Sequence, residues 1–176
     1  MRQEFRDTSR FGRVSRERVS EFEATISAPL PSDYRNFLLT HNGGRPTWPR
    51  LRFERDGTAD ETVVEWFFAL HDEAYPEYGV ERLPPERVLP AHVKQPLQDF
   101  QGLIGSEYPG GLLLPIARDP CANLIVLACG GDAHGRVWFC DHEGCELVAL
   151  APTFDAFIAR LEPLPRGDWL RWLITE

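Results

Sequence analysis

Lysine is nearly missing from this chain: Lys94 is the only one, beside 18 arginines. The imbalance points to genomic base composition rather than to chemistry. Long apolar runs are missing too. None approaches the ~20 residues that cross a bilayer, so no membrane insertion is expected. The first residues, Met1-Arg2-Gln3-Glu4-Phe5-Arg6, have no apolar core of a secretory signal, and a cytoplasmic protein is expected. No C-x-x-C pair occurs, Gly43-Gly44 and Gly130-Gly131 lack the Lys and Ser/Thr of a phosphate loop, and no serine lies in a G-x-S-x-G elbow. Catalysis and a bound cofactor are therefore not expected. Positive charge is short as well. The formal net charge is −8, which argues against a direct nucleic-acid partner, because gripping phosphates requires Lys and Arg.

What is present suits a single globular unit. The chain has 176 residues, 43% apolar and 26% charged, enough for one well-buried core. Its charge is uneven. Residues 1–18 hold six arginines against Glu4, Asp7 and Glu17, a net of +3, whereas residues 54–100 hold eleven acids against four bases, a net of −7. Such a field steers a basic protein toward its surface, although most acidic runs are simply solvated. The cysteines are Cys121, Cys129, Cys140 and Cys145. Reduced thiols are expected in a cytosolic chain. Cys140, His142 and Cys145 place zinc-type ligands close together, but buried thiols and a turn histidine account for the same letters, so no metal is expected.

Along the chain, residues 1–13 read as a loose arm. Val19, Phe22 and Ile26 predict an amphipathic helix over Ser15 to Ile26, ended by Ala28-Pro29. A second helix is expected from Pro31 or Ser32 to His41, with Tyr34, Phe37, Leu38 and His41 on one stripe and Leu30 stapling its start. His41, on that apolar face, reads as a partly buried histidine rather than a base. Asn42-Gly43-Gly44 supplies residues that accept positive φ, so the helix ends there in a left-handed cap. Leu51 to Glu54 and Val63 to Leu70 predict two strands that pair as a hairpin, with a turn at Asp56-Gly57. Six prolines fragment residues 71–111, where Val93, Leu97, Phe100 and Ile104 make one helical stripe. Four strands then follow, Leu112 to Ala117, Asn123 to Ala128, Gly135 to Cys140 and Glu146 to Leu150. Their short connections predict an antiparallel meander. Thr153 caps a final helix carrying Phe154, Phe157, Ile158 and Leu161. The apolar tail from Asp168 to Ile174 is expected to fold back on the core. The fold class is thus α+β, a mostly antiparallel sheet of about five or six strands with packed helices. One domain is expected over 14–162, with 163–176 as an extension packing on it.

Four segments carry a resemblance. "LPSDYRNFLLTHNGGRP", "LLLPIARDPCANLIVL", "GRVWFCDHEG" and "TFDAFIARL" occur in an order similar to that of the SUKH superfamily, the Smi/Knr-like proteins, from about Phe22 to Leu161. The resemblance implies structural roles for Leu30, Pro31, Tyr34, Phe37, Leu38, Asn42, Gly43, Gly44, Pro115, Ile116, Asn123, Val137 and Asp141. Ala122 departs from it, since the pattern usually has Gly immediately before that Asn. Bacterial members look like immunity proteins that bind and block polymorphic toxins, many of them nucleases. Fungal members are linked instead to regulation, which gives a scaffold module as the alternative. The resemblance therefore implies a cognate toxin domain as partner, and charge clustering nominates Asp60, Glu61, Glu65, Asp72, Glu73, Glu77, Tyr78 and Glu81 as its contacts.

Overall fold

The computed structural model describes residues 3–9, 12–70, 111–143 and 146–165. The expected helical stripe over 93–104, the tail 168–174, Cys145 and the candidate contacts Asp72, Glu73, Glu77, Tyr78 and Glu81 lie outside the described residues.

Two helices open the fold. In α1 (Arg16–Ile26) the Ser15 hydroxyl accepts a hydrogen bond from the Arg18 N–H at 3.2 Å, and the helix stops one residue before Ala28, at Ser27 in the left-handed conformation (φ 54°). Helix α2 (Ser32–Thr40) starts after Pro31, which occupies the N-cap rather than the first turn and makes no side-chain cap bond. Tyr34, Phe37 and Leu38 are buried on its inner face. Glu23 joins the two helices: its carboxylate accepts from the Leu30 N–H at 2.7 Å and pairs with Arg35. Asn42, Gly43 and Gly44 follow with φ of 44°, 86° and 120°, the expected run of positive φ.

The arm expected to be loose is partly built into the fold. Strand β1 (Phe5–Arg6) pairs antiparallel with β2 (Arg45–Pro46), and the Phe5 ring packs 5.2 Å from Phe37 and 5.7 Å from Phe67. Two adjacent polar residues flank Phe5, so its local sequence holds no periodicity to betray the pairing. The expected hairpin also differs. Strand β3 (Arg50–Arg55) turns through Asp56 (φ 51°) and Gly57 (φ 73°) into β4 (Thr58–Val63), a polar strand, and not into the apolar run that follows. Two consecutive positive φ angles are what a tight primed hairpin turn demands, and its twist favours immediate return of the chain. The apolar run instead crosses to a second sheet. There β5 (Trp66–Phe67) pairs with β6 (Leu112–Arg118).

The second sheet is the expected meander. β5, β6, β7 (Leu124–Cys129), β8 (Val137–Cys140) and β9 (Leu147–Ala151) are hydrogen-bonded in that order, all antiparallel. The fold is α+β, with the five-stranded antiparallel sheet at its centre. Pro115 cannot donate to a ladder, and the β6–β7 register shifts beside it, between Pro115 and Ala117. Ile116 then uses its carbonyl to accept the Phe68 N–H at 2.8 Å. Helix α3 (Phe154–Ala159), capped by the Thr153 hydroxyl on the Ala156 N–H at 3.1 Å, places Phe154 and Phe157 in the core. Phe154 lies 5.1 Å from both Tyr34 and Phe37, and 5.9 Å from Phe67. Beyond α3, Glu162 and Arg50 exchange backbone hydrogen bonds at 3.1 and 2.8 Å, which ties the chain back to β3.

The β6–β7 turn is built around Asp119, 3% exposed. One carboxylate oxygen accepts from the Cys121 and Asn123 N–H groups at 2.9 and 2.8 Å; the other accepts from Thr62 Oγ1 at 2.8 Å and Asn123 Nδ2 at 2.9 Å. Asn123 Oδ1 in turn accepts the His142 N–H at 3.1 Å. These bonds hold Ala122 at φ 68°, which Cβ makes costly and glycine does not. Ala122→Gly is therefore expected to stabilise the fold by about 0.5–1 kcal/mol, the relief of strain less the larger unfolded entropy of glycine. A urea midpoint that falls on substitution would contradict this account of the turn.

Candidate functional site

The acids nominated from charge clustering are not an open acidic face where they are described. Asp60 pairs with Arg55 (3.2 Å), Glu61 with Arg50 (3.1 Å to Nε), and Glu65, 8% exposed, with Arg118 (2.9 Å). Glu65 is thereby withdrawn from the candidate contacts, because a buried, paired carboxylate is not available to a partner. The reason lies in the pairing of strands. A count along the chain over residues 54–100 omits Arg50 and Arg118, yet strand pairing brings Arg50 against Glu61 and Arg118 against Glu65. Arg55 also reaches Asp141 at 2.8 Å and Glu146 at 3.8 Å while its guanidinium lies 5.2 Å from the Phe139 ring centroid. Asp141 thus pins the hairpin to the end of β8.

Carboxylates that have no cationic partner among the described residues line a groove of about 990 Å³ between β1, α2 and α3. Phe5, Phe37, Trp48, Phe154, Ile158 and Leu161 give it an apolar floor. Glu4, Asp33 and Asp155 are its charged lining, and among the described residues no Lys or Arg lines it. Helix geometry sets one wall. Asp33, Asn36, Phe37 and Thr40 recur at i, i+3, i+4 and i+7 of α2, a stripe beside the buried one. Asp33 holds the two walls together: it accepts from the Tyr34 N–H at 2.9 Å and from the Asp155 N–H at 3.1 Å, placing negative charge at the start of both helices. Glu4 is positioned through its backbone, whose carbonyl accepts from the Thr47 N–H (2.9 Å) and hydroxyl (3.1 Å).

His41 closes one end of the groove, half-buried as expected, with its ring 4.8 Å from Phe5 and 5.4 Å from Phe37. Burial holds its pKa below the ordinary histidine value. The unfolded chain therefore binds a proton before the folded one does. The stability that neutral His41 contributes is present above about pH 6.5 and is lost as pH falls through the lower folded value. Urea midpoints are expected to fall between pH 7.5 and pH 5 in the parent by more than in His41→Leu; equal slopes would contradict the assignment.

Among the described residues the sulfur and imidazole groups do not gather. Burial pushes the Cys129 thiol up to about 12, so it stays protonated in the core. Cys140 is buried at the end of β8, whereas the His142 ring sits outside, 2.8 Å from Asn123 Oδ1. Among the described residues no three His, Cys, Asp or Glu side chains converge to hold a metal ion.

Sequence reasoning missed Glu4, Asn36, Thr40, Trp48 and Asp155. The half-exposed second stripe of α2 was its one available signal; the rest depends on three distant segments meeting. Among the described residues no helix is long and apolar enough to cross a membrane. No curated protein matches this chain. Residues 13–160, which contain the first three segments quoted above and all but the last residue, Leu161, of the fourth, match the model of the SMI1 / KNR4 family (SUKH-1). The span covers both walls of the groove but not Glu4 and Phe5. The chain belongs to the SMI1/KNR4 family, SUKH-1.

Proposed function

We propose that this protein is an immunity-type binding module that neutralises a cognate, basic toxin domain, a nuclease, by direct contact. Membership of a family that includes immunity proteins supports binding rather than catalysis. The observation that carries the reading is the groove: aromatic at its base and, among the described residues, charged only by carboxylates, without a lysine or arginine to neutralise them. A nuclease holds phosphates with Lys and Arg, so an acidic partner competes for the same surface and is steered to it.

Co-expression tests this. Cells expressing the toxin domain encoded nearest to this gene are expected to stop growing, and to grow again when this protein is produced with it. The two are expected to elute as one stoichiometric complex whose association rate falls as salt rises. Failure of both rescue and complex formation, with signalling proteins recovered instead from source-cell lysates, would favour the scaffold module.

A further inference from the structure

The chemistry of the groove defines what enters it. We propose that it receives a basic amphipathic segment of the partner protein, one in which arginines or lysines alternate with aliphatic or aromatic residues. This inference rests on the protein-binding reading above and narrows it to one surface and one kind of peptide.

Three features of the groove select that segment. First, the floor is ring-lined, with Phe5 and Trp48 partly exposed over the buried Phe37 and Phe154. Flat aromatic surface rewards burial of apolar side chains. Second, Glu4 and Asp155 are exposed and, among the described residues, form no ion pair, in contrast to Asp60, Glu61 and Glu65. A purely apolar segment would strip water from these carboxylates and return nothing, and an acidic one would be repelled by them. Guanidinium or ammonium groups meet the requirement, and arginine does so in bidentate fashion. Third, Asn36 and Thr40 lie exposed on the α2 wall, available to hydrogen-bond a peptide backbone or side chain. That wall, from Asp33 to Thr40, runs about 10 Å at 1.5 Å per residue, the length of two helical turns or three to four extended residues.

One end of the site lies outside the span that matches the family: Glu4 and Phe5 precede it. They reach the groove because β1 pairs with β2 and because Gly44 allows the backbone of Arg6 to approach. β1 thereby adds a charge and an aromatic ring to the walls formed by α2 and α3.

The test uses the full chain and a fluorescent twelve-residue peptide alternating arginine and leucine, with a glutamate–leucine counterpart. The arginine peptide is expected to bind, with amide shifts concentrated at Asn36, Thr40, His41 and the Trp48 indole; its counterpart is not. Glu4→Arg/Asp155→Arg is expected to weaken binding by about tenfold or more. Glu54→Arg/Asp132→Arg, which changes net charge equally at exposed positions outside the groove, is expected to change it by less than about twofold. Equal weakening by both pairs, shifts centred on the β3–β4 hairpin, or a dimer that the groove pair dissolves would overturn the proposal. The toxin assay separates the two readings. If Glu4→Arg/Asp155→Arg still rescues growth as the parent does, the immunity reading stands and this site falls; if the parent itself does not rescue, the immunity reading falls while the peptide result still decides the groove.

Discussion

Asn42→Ala is expected to lower the unfolding free energy by about 4 kcal/mol, a large part of the 5–15 kcal/mol that holds an ordinary domain together. The side chain is 2% exposed and uses its amide fully. Nδ2 donates to the carbonyls of Gly12 and Leu70, both at 2.8 Å, while Oδ1 accepts the Leu70 N–H at 2.8 Å. Only this orientation of the amide satisfies two carbonyls and one N–H. Truncation leaves the buried N–H and carbonyl of Leu70 without partners, at about 1–3 kcal/mol each, while the exposed Gly12 carbonyl turns to water. Alanine adds strain, because Asn42 sits at φ 44°, where asparagine is tolerated and alanine is not. Asn42→Gly separates the contributions: it loses the same bonds but not the backbone fit, and is expected to be more stable than Asn42→Ala by about 1 kcal/mol. Urea unfolding by circular dichroism measures both. A loss below about 1 kcal/mol for Asn42→Ala would mean that the chain between Gly12 and Leu70 is held by other contacts.

Gly44→Ala should cost about 3 kcal/mol or more and detach β1 from the groove. A Cβ at this position would lie 2.7 Å from the Arg6 carbonyl oxygen and 3.2 Å from Thr8 Cγ2, with φ at 120°. Neither neighbour yields cheaply, because the first is backbone. Gly44 is fixed on its other side too: its N–H donates to the Phe67 carbonyl at 3.3 Å, and its own carbonyl accepts the Phe67 N–H at 2.9 Å. The clash is therefore relieved on the β1 side. Phe5 then leaves Phe37 and Phe67, the Thr47 amide loses its bond to the Glu4 carbonyl, and its hydrogen exchange accelerates. Gly57→Ala is the control, since φ is 73° there but no atom lies within 4 Å of the added Cβ. It is expected to cost only about 1 kcal/mol of backbone strain. Retained protection at Thr47 in Gly44→Ala would show that β1 is anchored independently of this approach. The arginine–leucine peptide is expected to bind Gly44→Ala more weakly than Gly57→Ala.

Much of the fold is legible one segment at a time. Ser15 and Thr153 cap their helices, and Asn42, Gly43 and Gly44 turn through positive φ. The meander follows its apolar runs because β6, β7 and β8 are largely buried and show that burial in their composition. Legibility fails where an element is stabilised by its neighbour. β4 contains only one buried residue, Val63, so it has no apolar alternation to display. β1 is two residues long and owes its place to β2 and to one ring.

The sequence by itself determined the α+β class, both opening helices, the meander and the family, since these depend on local periodicity, capping and turn residues that act over a few positions. Tertiary structure alone decided which of the described acids lie beside a cation and which do not. Asp60, Glu61 and Glu65 are neutralised by arginines that strand pairing brings to them, whereas Glu4, Asp33 and Asp155 meet across a groove from three separate parts of the chain. Charge is counted along a chain, but Coulomb energy depends on distance in space, and only folding sets those distances.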